Sequence, residues 1–196
     1  MINPWHRAAG VLLLAAATVG AGVAPAAAAP ADDVPAAATT TASIKGWARM
    51  YFPAPGNDVQ VTVDAHGEYS AQSPAFPTRA WGSLRIYHAV EEPGKPQLVN
   101  WGELEVDCLT TGGPTATVTG ILVRASPGGP WEDLVKRKVR MGVSFYVAGK
   151  GKGPSRIGLS GATAPGQPPL TKCMAPAADA PLTRGGYVLR DKGPLS

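Results

Sequence analysis

Apolar and polar side chains alternate along most of the chain after residue 42. Val59, Val61 and Val63 alternate with polar residues, and so do the apolar residues between Val139 and Val147. Successive side chains of a β-strand point to opposite faces of a sheet, so this period of two predicts strands with one buried face. About eight such segments occur, most of them joined by short turns rich in glycine and proline.

This pattern predicts an all-β fold. Consecutive strands joined by short turns pair antiparallel, and no long helical period is present to connect parallel strands. We predict an antiparallel meander of about eight strands that forms a small barrel, with a two-sheet sandwich as the alternative. One short helix is predicted near 130–137, because Pro130 suits a first helical position and Glu132 and Asp133 follow it.

Two stretches lack the alternation. Residues 70–79 predict a loop, and the proline-rich residues 164–184 predict an irregular connection before a last short strand at 187–190. In the segment that ends near Leu109, the period of two places Val106 and Cys108 on the inner face. Cys108 would then hold the connection around Cys173 over one end of the core.

The first 31 residues have the layout of a secretory signal peptide. Arg7 precedes an uncharged run that is too short to cross a bilayer, and small residues follow, with cleavage expected after Ala28 or Ala31. We therefore predict a signal peptide at 1–31, a flexible leader at 32–41 and a single β domain at 42–196. This organisation predicts a secreted, extracellular protein without a transmembrane segment; a retained N-terminal anchor is the alternative.

Net charge and cysteine content give further evidence on the class of protein and its possible partners. The chain carries 18 Lys and Arg against 14 Asp and Glu, a formal net charge of +4. So small an excess does not indicate a nucleic-acid-binding protein, but it permits weak attraction to an anionic cell-wall polymer. Cys108 and Cys173 predict an intramolecular disulfide in an exported protein, with free thiols or an intermolecular bridge as alternatives.

Four segments carry a resemblance to a known group. They are WGSLRIYHAV, GELEVDCLTTGGPTATVTGILV, RMGVSFYVAG and SRIGLS, in this order. The order resembles small exported proteins of high-GC Gram-positive bacteria that are sometimes named repetin. The resemblance covers about residues 42–190 and is most specific at 106–109 followed by 116–120. It implies no catalytic activity, cofactor or ligand-binding residue. In the group an acidic residue often follows the tyrosine that matches Tyr146, where this chain has Val147.

An acidic row and a pair of histidines are the candidates for chemistry. Glu103, Glu105 and Asp107 alternate on one strand, about 6.6 Å apart, which suits a hydrolase carboxylate pair or calcium ligands as well as ion pairs with Lys or Arg across the sheet. Asp64 shares a face with His66 and Glu68, and His88 lies on another strand. The histidines could share a metal if their strands were adjacent, but a hydrogen-bonded core histidine is the commoner outcome for His88.

Basic and aromatic residues are the candidates for binding. Lys136, Arg137, Lys138 and Arg140, with Lys150, Lys152 and Arg156, would gather at one end of the domain if their strands form a hairpin. Aromatic residues on the outer face could stack on sugars or contact a protein, or could cover the core. The candidate ligand-binding residues are Trp81, Tyr87, His88 and Trp101.

The absence of a G-x-S-x-G motif and of a free cysteine favours a non-enzymatic domain. We predict no catalytic residues, no metal site and no cofactor, and expect binding of an envelope or extracellular ligand. The possible partners are an anionic cell-wall polymer or an extracellular protein. The alternatives are an exported hydrolase that uses the acidic row and a secreted protease inhibitor that presents the Cys173 loop.

Overall fold

Eight strands and one short helix follow one another in the computed structural model, which describes residues 38–161 and 168–193. The elements are β1 (Thr39–Met50), β2 (Asn57–Ser70), β3 (Arg79–Val90), β4 (Leu98–Gly112), β5 (Thr115–Ala125), α1 (Glu132–Lys136), β6 (Arg140–Tyr146), β7 (Arg156–Leu159) and β8 (Ala180–Arg190). The predicted signal peptide at 1–31 and residues 32–37 of the predicted leader lie outside the described residues. Residues 39–41 belong to β1, three residues before the predicted start of the domain.

Hydrogen bonding runs round a closed ring of strands. Each strand pairs antiparallel with the next, and β8 returns to β1, with Ser43 opposite Arg190. Pairing of the first and last strands closes the ring of hydrogen bonds, as expected for a barrel-like meander and not for two separate sheets, although β7 and β8 pair at only two positions. The predicted antiparallel meander of eight strands is confirmed.

Apolar side chains fill the interior of the ring. Val61 and Val63 of β2 are buried there, as the alternation predicts. Phe145 packs edge-on against Tyr187 with ring centroids 4.8 Å apart, and the Tyr187 hydroxyl donates a hydrogen bond to the Val61 carbonyl at 3.0 Å. Burial raises the pKa of Tyr187 far above its usual value, so the phenol stays a donor at physiological pH.

The short helix lies at one end of the ring, which we call the helix end. α1 confirms the helix predicted near 130–137, and Leu134 is its buried residue. The Trp131 ring, just before α1, lies on Gly102 of β4, where a Cβ atom would come within 2.6 Å of Trp131 Cε3. The turns at 51–56 and 91–97 lie at the helix end too, because the meander reverses direction at each connection. No helix within residues 38–161 and 168–193 is long and apolar enough to span a membrane.

A β-bulge changes the side of the sheet on which Cys108 lies. Val106 pairs with Gly120, but Cys108 pairs with Thr119, so the strand gains one unpaired residue at Asp107. Beyond the bulge Leu109 points into the core and Cys108 points outward. The prediction that Cys108 lies on the inner face was therefore wrong, because an inserted residue shifts the alternation by one.

The segment 168–179, which we call the strap, lies on the outer surface of the barrel. Cys173 forms the predicted disulfide with Cys108, and its backbone N–H donates to Thr119 Oγ1 at 3.1 Å. Gly142 of β6 and Gly158 of β7 lie beneath the backbone of the strap. The strap therefore covers β6 and β7 from outside instead of closing one end of the core.

The last strand is longer than predicted. β8 begins at Ala180, whereas the sequence predicted irregular structure to residue 184 and a strand only at 187–190. Pro181 lies near the start of the strand, where a missing N–H is tolerated, and its carbonyl accepts from Tyr51 N–H at 2.8 Å. Pro181 and the Gly185-Gly186 pair have low strand propensity, so the sequence pattern did not predict the first part of β8. Pairing with β1 stabilises the strand.

Replacing Gly158 with Ala should separate the strap from the barrel. The new Cβ atom would lie 2.0 Å from the Ala177 carbonyl oxygen, and a backbone atom held by a disulfide-linked segment cannot move aside easily. We expect a loss of about 1–3 kcal/mol in the free energy of unfolding. Urea denaturation measures the loss. Gly186→Ala, whose new Cβ would meet no atom of residues 38–161 and 168–193 within 4 Å, is the control and should change little.

Candidate functional site

A small cavity opens at the helix end of the barrel. Its volume is about 250 Å³ and its walls are mostly apolar. The lining residues are Met50, Phe52, Val59, Ile86, His88, Trp131, Met141, Leu159, Ser160 and Gly161. An engineered apolar cavity of about 150 Å³ holds benzene, so this space suits a molecule slightly larger than one aromatic ring.

Strand ends and a loop together form the walls of the cavity. Met50 ends β1, Val59 lies near the start of β2, and Leu159 ends β7, so the antiparallel order brings these side chains to one end of the ring. Trp131 reaches the cavity because Gly102 leaves room beneath its ring. The floor is the filled interior, so the cavity does not extend through the barrel.

The cavity has two polar side chains: Ser160, whose Oγ accepts from the Gly142 N–H at 2.8 Å, and His88. His88 Nε2 lies 2.5 Å from Asn57 Oδ1, and the Asn57 amide Nδ2 donates to the Pro55 carbonyl at 3.1 Å. Since Asn57 Oδ1 can only accept, Nε2 is the donor in this contact, which leaves Nδ1 as the ring nitrogen that can accept a hydrogen bond from a ligand. The hydrogen-bonded histidine expected from the sequence is found, at the rim of a cavity rather than in the core.

The other candidate ligand-binding residues do not join His88. Tyr87 and Trp101 lie side by side on the outer face, directly opposite each other on β3 and β4. The Arg85 guanidinium lies 4.7 Å from the centre of the Trp101 ring and covers one face of it. Trp81 lies six residues from Tyr87 along β3, roughly 20 Å away, and stacks on His66 with ring centroids 5.3 Å apart. The four residues therefore occupy three separate places.

The acidic row is largely paired with arginine. Glu103 contacts Arg85 at 3.5 Å and also forms an ion pair with Arg124. Asp107, at the bulge, accepts from Arg140 Nε at 2.8 Å and from Thr119 Oγ1 at 2.6 Å. Carboxylates held by arginine on the outside of a sheet match cross-strand ion pairing, the structural alternative that the sequence left open.

The two histidines are too far apart to share a metal ion. On β2, His66 lies seven residues from Val59, the residue opposite His88, which corresponds to roughly 23 Å. Asp64 Oδ1 lies 3.0 Å from His66 Nε2, while its other oxygen pairs with Lys45 at 2.6 Å. The Lys45 hydrogen bond lowers the pKa of Asp64. In the part of the chain that the structure describes, no three Asp, Glu, His or Cys residues form a possible metal site.

The predicted basic end is wrong, although the predicted hairpin of β6 and β7 exists. The run 136–140 ends at the first residue of β6 and lies at the helix end, whereas 150–156 runs from the turn after β6 to the first residue of β7 and lies at the opposite end, roughly 20 Å away. Arg140 pairs with Asp107 and Lys136 pairs with Asp133. β6 lies between the two basic groups and spans the barrel, so the two groups are at opposite ends.

The strap does not have the form of a protease-inhibiting loop. Met174 is an exposed large hydrophobic residue of the strap, but its carbonyl oxygen faces Gly142 on β6. Its N–H turns back toward the Thr171 carbonyl at 3.3 Å. A protease needs the backbone of a bound loop to be extended and accessible, so nothing in this geometry favours the inhibitor alternative.

Of the four predicted ligand-binding residues, His88 is thus the one that lines this cavity. Sequence reasoning identified His88 and placed Met50 and Phe52 on the same face, but it missed Trp131 and Asn57, which approach from other connections. Comparisons with protein-family models, with curated proteins and with solved structures found no match to this chain.

Proposed function

We propose that this chain is an exported, non-enzymatic binding domain whose helix-end cavity binds a small, mainly apolar molecule. The observation that carries the proposal is an apolar cavity of about 250 Å³ with a single histidine at its rim. Such a composition, apolar walls with few polar groups that fix orientation, is characteristic of small-molecule sites.

The hydrogen bond from His88 to Asn57 limits the chemical class of the proposed ligand. With Nε2 donating to Asn57 Oδ1, Nδ1 is the ring nitrogen left to accept a hydrogen bond from a ligand. The preferred ligand therefore carries one donor, such as a phenolic or alcoholic hydroxyl, on an apolar body of about two fused rings or a short acyl chain.

Export is the second part of the proposal. The layout of residues 1–31, the resemblance to exported repetin-like proteins and the use of both cysteines in a disulfide support it. Expression of the full chain in a high-GC Gram-positive host should release a protein that starts after Ala28 or Ala31. Mass spectrometry of the culture supernatant checks this, and an uncleaved cell-bound chain would argue for the membrane-anchor alternative.

The cavity is tested with 2-naphthol and naphthalene as probes. The wild-type domain should bind 2-naphthol more tightly than naphthalene, because only the naphthol hydroxyl can donate to His88. Leu159→Phe, which fills the cavity from its partly buried wall, should weaken binding of both probes at least tenfold. His88→Phe should remove the preference for 2-naphthol. Tryptophan fluorescence and isothermal calorimetry measure the affinities.

A matched variant separates cavity filling from a general effect of added phenylalanine. Val123 is exposed on the outer surface, so Val123→Phe should leave both affinities unchanged. The proposal is overturned if the wild-type domain binds neither probe, or if Leu159→Phe binds both as well as the wild type does.

A further inference from the structure

A second groove lies at the opposite end of the barrel from the cavity. It is formed by the hairpin of β6 and β7 and the loop between them, and its volume is about 400 Å³. Its lining residues are Tyr146, Lys152, Gly153, Pro154 and Arg156. We propose that this groove binds a phosphate or phosphodiester group, and that its natural ligand is an anionic phosphodiester polymer outside the cell.

The groove is positively charged, which is the first evidence for an anionic ligand. Two of its five lining residues are cationic and none is acidic, while Lys150 adds a third positive charge in the same loop. Among residues 38–161 and 168–193, the ion pairs formed by acidic side chains involve other cations, not Lys150, Lys152 or Arg156. These three charges are therefore not neutralised by a neighbouring carboxylate and can attract an anion.

Hydrogen bonds fix the shape of the loop. Lys152 N–H donates to the Gly149 carbonyl at 3.0 Å, which closes a turn whose third residue, Gly151, has φ of 77°. That positive φ is the one a type II turn requires at this position, and glycine adopts it without strain. Ala148 N–H donates to Ser155 Oγ at 3.0 Å and ties the two arms of the loop together. The turn thus returns Lys152 toward the hairpin.

The hairpin places two different anion-binding groups side by side. Tyr146 and Arg156 are directly opposite each other on β6 and β7. A phenolic hydroxyl donates one hydrogen bond, and a planar guanidinium can donate two parallel bonds to a phosphate. Together with the Lys152 ammonium, they give three kinds of donor around one groove, which matches the several acceptor oxygens of a phosphate group.

Asp191, an acidic residue at the same end of the barrel, does not neutralise the charge of this groove. Asp191 accepts hydrogen bonds from the backbone N–H groups of Gly113 and Lys192, both at 2.9 Å. Burial raises the pKa of Asp191, but the Thr111 side chain, these two backbone N–H groups and the Lys192 charge together lower it below its usual value, so Asp191 is ionised and satisfied locally. It contributes no ion pair to the lining of the groove.

Because the basic residues are divided between two ends, the chain offers a charge-matched control. Lys152→Gln/Arg156→Gln removes two positive charges from the groove. Arg137→Gln/Lys138→Gln removes two positive charges from the helix end, where no anionic ligand is proposed. Attraction by net charge alone would respond equally to both double variants, whereas a local site responds only to the first.

The experiment uses three probes with the domain as secreted: inorganic phosphate, a synthetic poly(glycerol phosphate), and vesicles of phosphatidylglycerol mixed with phosphatidylcholine. We expect the polymer to bind most tightly, and amide resonances of 151–153 to shift on titration with phosphate. The groove variant should weaken polymer binding at least tenfold, while the helix-end variant should change it less than twofold. Tyr146→Phe should weaken it by a few-fold, and unchanged melting temperatures show that the variants are folded.

Each outcome decides the matter. Binding of phosphate and polymer, but not of vesicles, supports the polymer as the ligand; vesicle binding that is lost in the groove variant would replace it with a lipid headgroup. No binding of any probe overturns the proposal. Equal losses in the two double variants overturn it too, since they would show attraction by net charge. The location of the polymer outside the cell rests on the proposed export, but binding of the cavity probes should be unaffected by these changes, so the two tests can fail separately.

Discussion

Replacing Cys108 and Cys173 together with Ala is expected to lower the free energy of unfolding by about 4 kcal/mol. The disulfide closes a loop of 65 residues, and the loss of chain entropy that such a loop imposes on the unfolded state has about this magnitude. Native stabilities are about 5–15 kcal/mol, so the variant would be marginal at 37 °C. Chemical denaturation of the oxidised wild type and the double variant measures the difference.

The position of the disulfide gives this prediction a local signature. Cys173 holds the strap to β4 and β5, and its N–H is bonded to Thr119, whose hydroxyl donates to Asp107. Without the covalent link, the strap has few buried contacts and should open before the barrel does. Hydrogen exchange should therefore accelerate at 168–179 in the double variant while the paired strands β1 to β4 keep slow exchange.

A variant in the same segment serves as the control. Met174 is 60% exposed, so Met174→Ala should change stability by less than about 0.5 kcal/mol. A double-cysteine variant as stable as the wild type would contradict the entropic account and would show that β6 and β7 hold the strap without the bond.

The barrel could be predicted from the sequence because its core follows simple alternation. In β2, Val59, Val61 and Val63 are all buried, and the residues between them face outward or lie half-exposed. Alternation also placed Ile86 inside and Trp47 outside. Short turns then left little freedom in strand order, so the antiparallel order of consecutive strands followed from local features, although closure of the ring did not.

Features that depend on one extra residue or on distant contacts could not be predicted. Val106 and Cys108 keep the period of two in the sequence, so nothing local shows that Asp107 forms a bulge and turns Cys108 outward. The pairing of β8 with β1 joins residues about 140 positions apart and overrides the low strand propensity of the Gly185-Gly186 pair.

The cavity, too, could be predicted only in part from the sequence. His88 was identified from its place on an apolar strand face, but its partner Asn57 lies 31 residues earlier in the chain. Trp131 belongs to a connection, and its position depends on a glycine at 102 that leaves space for its ring. The sequence supplies the strand residues of a site at a barrel end, whereas the loop residues that complete it require the structure.

Replacing Phe145 with Ala should cost about 3–5 kcal/mol of the free energy of unfolding. Phe145 is 1% exposed and packs against Tyr187, so the truncation removes a large apolar side chain from the centre of the barrel. Surrounding strands are joined in a closed ring and cannot collapse fully into the space, so a void remains. Thermal and urea unfolding measure the loss.

Phe52→Ala is the matched control, because Phe52 is the phenylalanine at the rim of the helix-end cavity and is 39% exposed. It should cost less than about 1 kcal/mol, since exposed positions contribute little to stability. The contrast tests where the barrel is filled. If Phe145→Ala cost no more than Phe52→Ala, the centre would not be tightly packed, and the space for a ligand would extend beyond the helix-end cavity. A large cost at Phe145 alone restricts the ligand to the rim, where His88 can reach it.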